Sequence, residues 1–192
     1  MSKITEIIES IKNVTLREAC RKLDVGPHDP FGMWPASLSY HHNRPGGLME
    51  HTIEVCGIVS SIFASGNVKG HRDVAIAAAL WHDWGKTLEY VLISRVLLPD
   101  GVRFVNAIGN YVWVKDHGIA DKAHPHIEAS AEEFARVAAR CHVDNGTERA
   151  VGHCILSHHG RKEWGAIEEP DSTAAWVLHC ADMISAKGGM TK

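Results

Sequence analysis

The sequence predicts a mostly α-helical bundle carrying a small β-hairpin insertion. Apolar residues recur at helical spacing in one segment after another, whereas residues 90–115 are rich in β-branched and aromatic residues, with alternation in their second half. Histidine is the third signal: the 192 residues hold 14, and several stand on or at the ends of the apolar helices.

Taking the elements in order, Ile4, Ile7, Ile8 and Ile11 share one face of a first helix. Thr15 is placed as the cap of a second, which carries Leu16, Ala19, Cys20 and Leu23. Residues 24–47 contain four of the seven prolines and four glycines, and read as a long ordered loop. From Leu48 to about Ala64 a helix places His51 on the inward stripe of Leu48, Val55, Ile58, Val59 and Ile62. The next helix, from about His71 to Gly85, runs through Val74–Trp81 into an adjacent His82-Asp83 pair.

In the 90–115 stretch, "YVLISRVLL", the turn "PDG" and "RFVNAIGNYVWV" suggest the hairpin. Helical periodicity resumes from His126 to about Cys141, from Thr147 to Ser157 and from Ser172 to Ala186. With no repeat, low-complexity tract or flexible linker, the chain reads as residues 1–37, N-terminal helices and a loop packed on the core, followed by the main unit, 38–192.

Composition narrows the function classes. The chain is 45% hydrophobic and 22% charged, as an ordinary soluble globular protein is. A net charge of -3, from 20 basic and 23 acidic residues mixed along the chain, argues against attachment to nucleic acid mainly through a basic face. No apolar run reaches the roughly 18 residues that span a bilayer, so no membrane partner is expected and a cytoplasmic location is. Five cysteines without a C-x-x-C pair point to small buried thiols on helices rather than a disulfide framework or zinc knuckle. A homo-oligomer is compatible with all of this.

The candidate ligands, in order, are His51, His82-Asp83, His126, His158-His159 and Asp182. Burying so many polar side chains without partners costs several kcal/mol, and a metal is the simplest common partner. Imidazole and carboxylate suit one or two divalent transition ions per chain, whether manganese, iron, zinc, cobalt or nickel. A set without cysteine has the character of a catalytic site rather than a structural one.

This ordered set resembles the HD-domain metal-dependent phosphohydrolase superfamily, with its H…HD…H…HH…D order along a helical bundle. The pattern reads "GGLMEHT", "LWHDWGK", "HPHIEAS", "ILSHHG" and "HCADMIS", over about residues 38–187. "YHHNRPGGLMEHT" and "ILSHHGRKEWGAIEEPDSTAAWVLHCADMISAK" resemble in particular the HD domain of YhaM-type 3′-to-5′ exoribonucleases. "WPASLSYHH" and the hairpin insert are similar to HD domains of some conjugative relaxase-type proteins. In the exonucleases an oligonucleotide-binding barrel precedes the HD domain, and residues 1–37 are too short to form one.

The resemblance implies that 38–192 is an HD domain in which His51, His82, Asp83 and Asp182 hold one metal. Asp83 would bridge to a second held by His126, His158 and His159. Neighbouring side chains diverge by about 100° on a helix, so His82 can bind end-on while Asp83 spans two ions. A metal-activated hydroxide at a mono- or binuclear site would then attack phosphorus. The implied activity is phosphodiesterase, nucleotidase or nuclease action on a nucleotide or short oligonucleotide.

Around this set, Lys86 lies one helical turn beyond His82, placed to meet a phosphate oxygen, and Gly85 is expected to end the helix. Arg161 is a second phosphate candidate, and His41 and His42 would orient substrate or protonate the leaving group. His124 competes with His126 as ligand, while His153 and His179 read as packed or supporting residues. Trp34, Trp84, Trp113 and Trp164 could stack on bases or simply pack. Two other classes share these features: an HD-type di-iron oxygenase, which the same ligand set resembles, and a non-catalytic nucleic-acid accessory module of a DNA-transfer system.

Overall fold

The computed structural model describes residues 2–23, 30–37, 41–94, 111–115 and 126–188. Helix α1 (Lys3–Glu9) is capped by the Ser2 hydroxyl, and α2 (Val14–Cys20) by the Asn13 side chain, which accepts from the Leu16 N–H at 3.0 Å. Thr15 is therefore not the cap. It lies inside the helix and its hydroxyl donates to the same Asn13 oxygen, because Asn13 is the extended residue that precedes the first turn. Arg21 pairs with Glu9 through two parallel bonds of 2.8 and 2.6 Å, which ties α2 back to α1.

The segment predicted as a continuous loop contains a short helix, α3 (Pro30–Met33). Proline suits a first helical position, and Phe31, only 1% exposed, anchors the turn in the core. Helix α4 (Gly47–Ala64) follows Gly46, whose φ of 77° is left-handed. A side chain at Gly47 would put its Cβ 2.0 Å from the His42 carbonyl oxygen, so the two glycines let the 41–45 turn close onto the helix that carries His51.

Helix α5 (Arg72–Trp81) is the axis of the molecule. All eight residues from Val74 to Trp81 are buried, and the helix packs against α2, α4, α7 (His126–Arg140), α8 (Asn145–Ser157) and α9 (Thr173–Gly188). Its start is fastened by Asp73, whose Oδ2 accepts from the backbone of Lys12 and Asn13 at 2.8 and 2.9 Å. Residues of α1 and α2 share one apolar cluster with α4, α5, α7, α8 and α9.

The structure corrects the expected end of this helix. Regular α-helix stops at Trp81, and the chain continues through His82–Gly85 in tighter turns with i→i−3 bonds, such as Trp84 N–H to Trp81 O at 3.1 Å, into α6 (Lys86–Glu89). Gly85 is right-handed (φ −60°) and opens α6 rather than closing α5. Its lack of a side chain has a different cause: a Cβ there would lie 2.2 Å from the His126 carbonyl oxygen.

Strands β1 (Tyr90–Ser94) and β2 (Tyr111–Lys115) pair antiparallel, with Tyr90 opposite Lys115 and Ser94 opposite Tyr111. The predicted turn of the hairpin, and His124, lie outside the described residues. Of the cysteines, Cys20, Cys56 and Cys154 are buried as expected, Cys141 is half-buried, and Cys180 is exposed because it falls on the outer side of α9. Among the described residues no helix is long and apolar enough to cross a membrane.

Gly85→Ala forces either α6 or the start of α7 to move, and is expected to cost about 1–3 kcal/mol of stability. A urea unfolding curve reads this as a lower midpoint with unchanged slope. An unchanged midpoint would contradict the close approach of Gly85 to His126.

Candidate metal centre

Because α5 is apolar all round, it delivers its C-terminal His82-Asp83 pair to the middle of the bundle. There His51 arrives from α4, His126 from the first position of α7, His158 and His159 from the end of α8, and Asp182 from α9. His51, His82 and His158 are fully buried, and Asp83 is 2% exposed.

The two Asp83 oxygens face different neighbours. Oδ2 lies 3.5 Å from His51 Nε2 and 3.4 Å from His82 Nε2, and accepts from Lys86 Nζ at 2.6 Å. Oδ1 lies 3.5 Å from His126 Nε2 and 3.8 Å from His158 Nε2. Asp182 Oδ1 joins the first side, 3.1 Å from His51 Nε2 and 3.9 Å from His82 Nε2. Potential ligand atoms of His51, His82 and Asp83 lie within 4.8 Å of one another, as do those of His126, His158 and His159.

The other ring nitrogens are held by acceptors. His82 Nδ1 donates to Ala79 O (2.9 Å), His158 Nδ1 to Ile155 O (2.7 Å) and His126 Nδ1 to Glu89 Oε1 (2.9 Å). His51 Nδ1 donates to Ser185 Oγ (2.9 Å), whose own hydroxyl donates to Glu54 Oε2 (2.8 Å). Each Nε2 therefore presents a lone pair to the centre, the arrangement that metal-binding imidazoles adopt. His51 Nε2 and His82 Nε2 stand 3.2 Å apart, a contact that needs a shared proton or cation when both Nδ1 atoms are already donors.

Electrostatics favour the same occupant. Burial works to raise the Asp83 carboxyl, but the Lys86 ammonium and His82 outweigh it and hold the group well below the usual carboxylate range. Asp182 is lowered likewise, burial being overcome by the hydrogen bond to His51 and the nearness of His82 and His158. Burial depresses His51 and His159, and depresses His158 strongly, with help from His159 and His82. His82 alone of these is raised, because Asp83 and Asp182 overcome its burial. Ionised carboxylates beside mostly neutral imidazoles are the protonation states a cation requires.

Among the described residues, the buried atoms without a hydrogen-bond partner include four at this centre: Asp83 Oδ1, His126 Nε2, His158 Nε2 and His159 Nδ1. Orphaned atoms of this kind are costly, and a divalent ion would satisfy them together. The residues present therefore fit a metal.

Lys86 stands at the wall as the partner of Asp83, and burial notwithstanding, Asp83 keeps its ammonium charged. A cavity of about 2060 Å³ reaches the centre and is lined by His41, His42, Asp83, Lys86, His159 and Asp182, among others. The His41 and His42 rings lie 4.8 and 5.5 Å from His51, and burial, His51 and Lys86 push His41 down to about 4. Arg161 is outside that lining, with its guanidinium over the Trp164 ring. His153 pairs with Glu168 and Asp171, whereas His179 braces the centre by donating from Nδ1 to His158 O at 2.8 Å. Trp34 bonds Tyr90 O and Trp84 packs on Trp81. The Trp113 side chain lies outside what is described.

Sequence reasoning missed Glu54, Glu89 and Ser185. Glu54 and Ser185 each lie three residues beyond a candidate ligand, His51 and Asp182, and so share its helix face, a spacing that could have found them. Glu89 reaches both Nδ1 and the backbone N–H of His126 across 37 positions, and no local pattern announces it.

A helical bundle whose buried axis ends in a His-Asp pair, met by histidines and an aspartate from the surrounding helices, defines an HD-type domain. The chain belongs to the HD domain family, whose profile matches residues 48–187. Among curated proteins it is similar to the 3′-5′ exoribonuclease YhaM of Listeria monocytogenes, 29% identical over 189 residues, which cover 98% of this chain and 54% of that protein. The YhaM exoribonucleases of Bacillus licheniformis and Bacillus subtilis are each 28% identical over 191 residues, 99% of this chain and 54% of theirs. The chain thus spans about half the length of the curated relatives it matches. No solved structure matches.

Manganese added at about one hundred times its dissociation constant should stabilise the unaltered chain by about 2.7 kcal/mol. Asp83→Asn should lose most of that gain while its far-ultraviolet circular dichroism stays helical. An equal metal-induced rise in Tm for both proteins would remove Asp83 from the site.

Proposed function

We propose that this HD domain is a metal-dependent phosphohydrolase acting on nucleic acid, a phosphodiesterase or nucleotidase whose substrate is a nucleotide or short oligonucleotide. The observation that carries the reading is the division of the Asp83 carboxylate between two histidine groups. On this reading His51, His82, Asp83 and Asp182 hold one divalent ion, and Asp83 with His126, His158 and His159 holds a second. Such ions supply Lewis acidity to a phosphoester and to water at neutral pH.

The chain's own residues have distinct tasks. Glu89, Ser185 and the carbonyls of Ala79 and Ile155 fix the imidazole tautomers. Lys86, charged and 13% exposed at the side chain, neutralises Asp83 and leaves positive potential at the cavity wall for a phosphate. His41, pushed down to about 4, is neutral at pH 7 and orients substrate by hydrogen bonding instead of delivering a ready proton. His42 lines the cavity beside it.

Substrate size is supported by the cavity, whose 2060 Å³ exceeds the roughly 300–1,000 Å³ of small-molecule pockets and favours an oligonucleotide over a single nucleotide. The relatives' printed activity, 3′-5′ exoribonuclease, lies in the same class. On the same reading 90–115 is a hairpin insert, supported by the register of β1 and β2, and 1–37 are helices and loop packed on an HD domain of 38–192, supported by the common apolar cluster.

Chain purified without a metal-affinity tag should release p-nitrophenolate from bis-p-nitrophenyl phosphate when manganese is added, and chelator should abolish the rate. A 5′-labelled short RNA should then shorten from its 3′ end. No turnover of either substrate with manganese, iron, zinc, cobalt or nickel would overturn the reading.

A further inference from the structure

Of the tryptophans whose side chains are described, Trp34, Trp81 and Trp84 are packed on the core, while Trp164 and Trp176 are 55% and 51% exposed. Of these two, only Trp164 lines the cavity that contains Asp83, Lys86 and His159. Leaving a large aromatic surface in water at the mouth of a polar centre forfeits the free energy of burying it.

Its position is nonetheless fixed. The chain leaves the His158-His159 pair through Gly160 (φ 86°), where a Cβ would fall 2.5 Å from the His179 ring. The turn that follows is closed by Trp164 N–H to Arg161 O (2.9 Å), Gly165 N–H to Lys162 O (3.0 Å) and Ala166 N–H to Arg161 O (3.2 Å). Ile167 and Glu168 donate back to Leu156 O at 3.0 and 3.2 Å. The Trp164 ring lies nearly parallel to His179, at 24° and 6.1 Å between centroids, and His179 is itself bonded to His158 O. An exposed ring is thus referenced to the candidate ligands by a short, rigid path.

Arg161 supplies a second feature. Its guanidinium carbon sits 5.3 Å from the centre of the same ring, and among the described residues it has no carboxylate partner. An exposed aromatic plate lining the cavity, with a guanidinium over it that has no carboxylate partner among the described residues, matches the two parts of a nucleotide: a flat base and an anionic backbone.

We infer that Trp164 is a stacking platform for the nucleobase next to the scissile phosphate, with Arg161 held over its ring to meet the neighbouring phosphate. This deepens the phosphohydrolase reading and rests on it for the identity of the substrate. Stacking has no hydrogen-bond readout, so the subsite accepts any of the bases and requires only that one be present.

The test uses the full chain and a hexanucleotide whose 3′-terminal base is 2-aminopurine, joined by a phosphorothioate that resists cleavage. Stacking on Trp164 should quench its fluorescence saturably. Trp164→Ala should weaken binding about tenfold or more, and Trp164→Phe should keep most of it. A hexanucleotide with an abasic 3′ end should bind the unaltered chain and Trp164→Ala equally. Equal binding of the 2-aminopurine probe by both proteins, an equal loss for the abasic probe, or no saturable binding by the unaltered chain would each overturn the inference. Hydrolysis of bis-p-nitrophenyl phosphate by the unaltered chain reports separately on the catalytic reading. Quenching without hydrolysis would leave a base-binding surface, and hydrolysis without Trp164-dependent quenching would leave an enzyme that holds its substrate elsewhere.

Discussion

Asp83 carries its negative charge at 2% exposure, and much of the surrounding structure answers that one placement. A carboxylate this deep persists only with compensating charge and hydrogen bonds. Lys86 supplies the nearest positive charge at 2.6 Å, and His51, His82, His126 and His158 approach its two oxygens from four directions. The same four histidines keep Nδ1 on fixed acceptors, so their remaining lone pairs also point inward. Negative charge and lone pairs concentrated in one buried volume create a demand for a cation.

The backbone is arranged to hold this concentration of polar groups. Helix α5 is buried from Val74 to Trp81 and ends in the core, where the chain turns tightly through His82–Gly85 and is received by the start of α7. Gly85 touches the His126 carbonyl oxygen, and its N–H donates to Ser130 Oγ at 2.8 Å. Glu89, at the end of α6, binds the first residue of α7 twice. Those contacts hold the end of α6 against the start of α7 beside the centre.

Much of this was legible in the sequence because each candidate ligand sits where an apolar pattern fixes its direction. His51 falls on the Leu48–Val55–Val59 stripe, and His82-Asp83 ends an unbroken apolar run. What was not legible depends on distance or on turn geometry. The tie between Glu89 and His126 spans 37 positions, and the need for glycine at 85 comes from the carbonyl of a residue 41 positions away. Lys86 illustrates the limit well. Its place one turn beyond His82 was legible, but the direct bond from its ammonium to Asp83 Oδ2 at 2.6 Å was not.

The central claim is that the Asp83 carboxylate separates two cation positions, one on each oxygen. Crystals grown with manganese and measured at the manganese absorption edge test this directly through anomalous difference density. The account predicts two peaks flanking Asp83, one among His51, His82 and Asp182 and the other among His126, His158 and His159. A single peak, or none with the manganese concentration well above its solution dissociation constant, would contradict it.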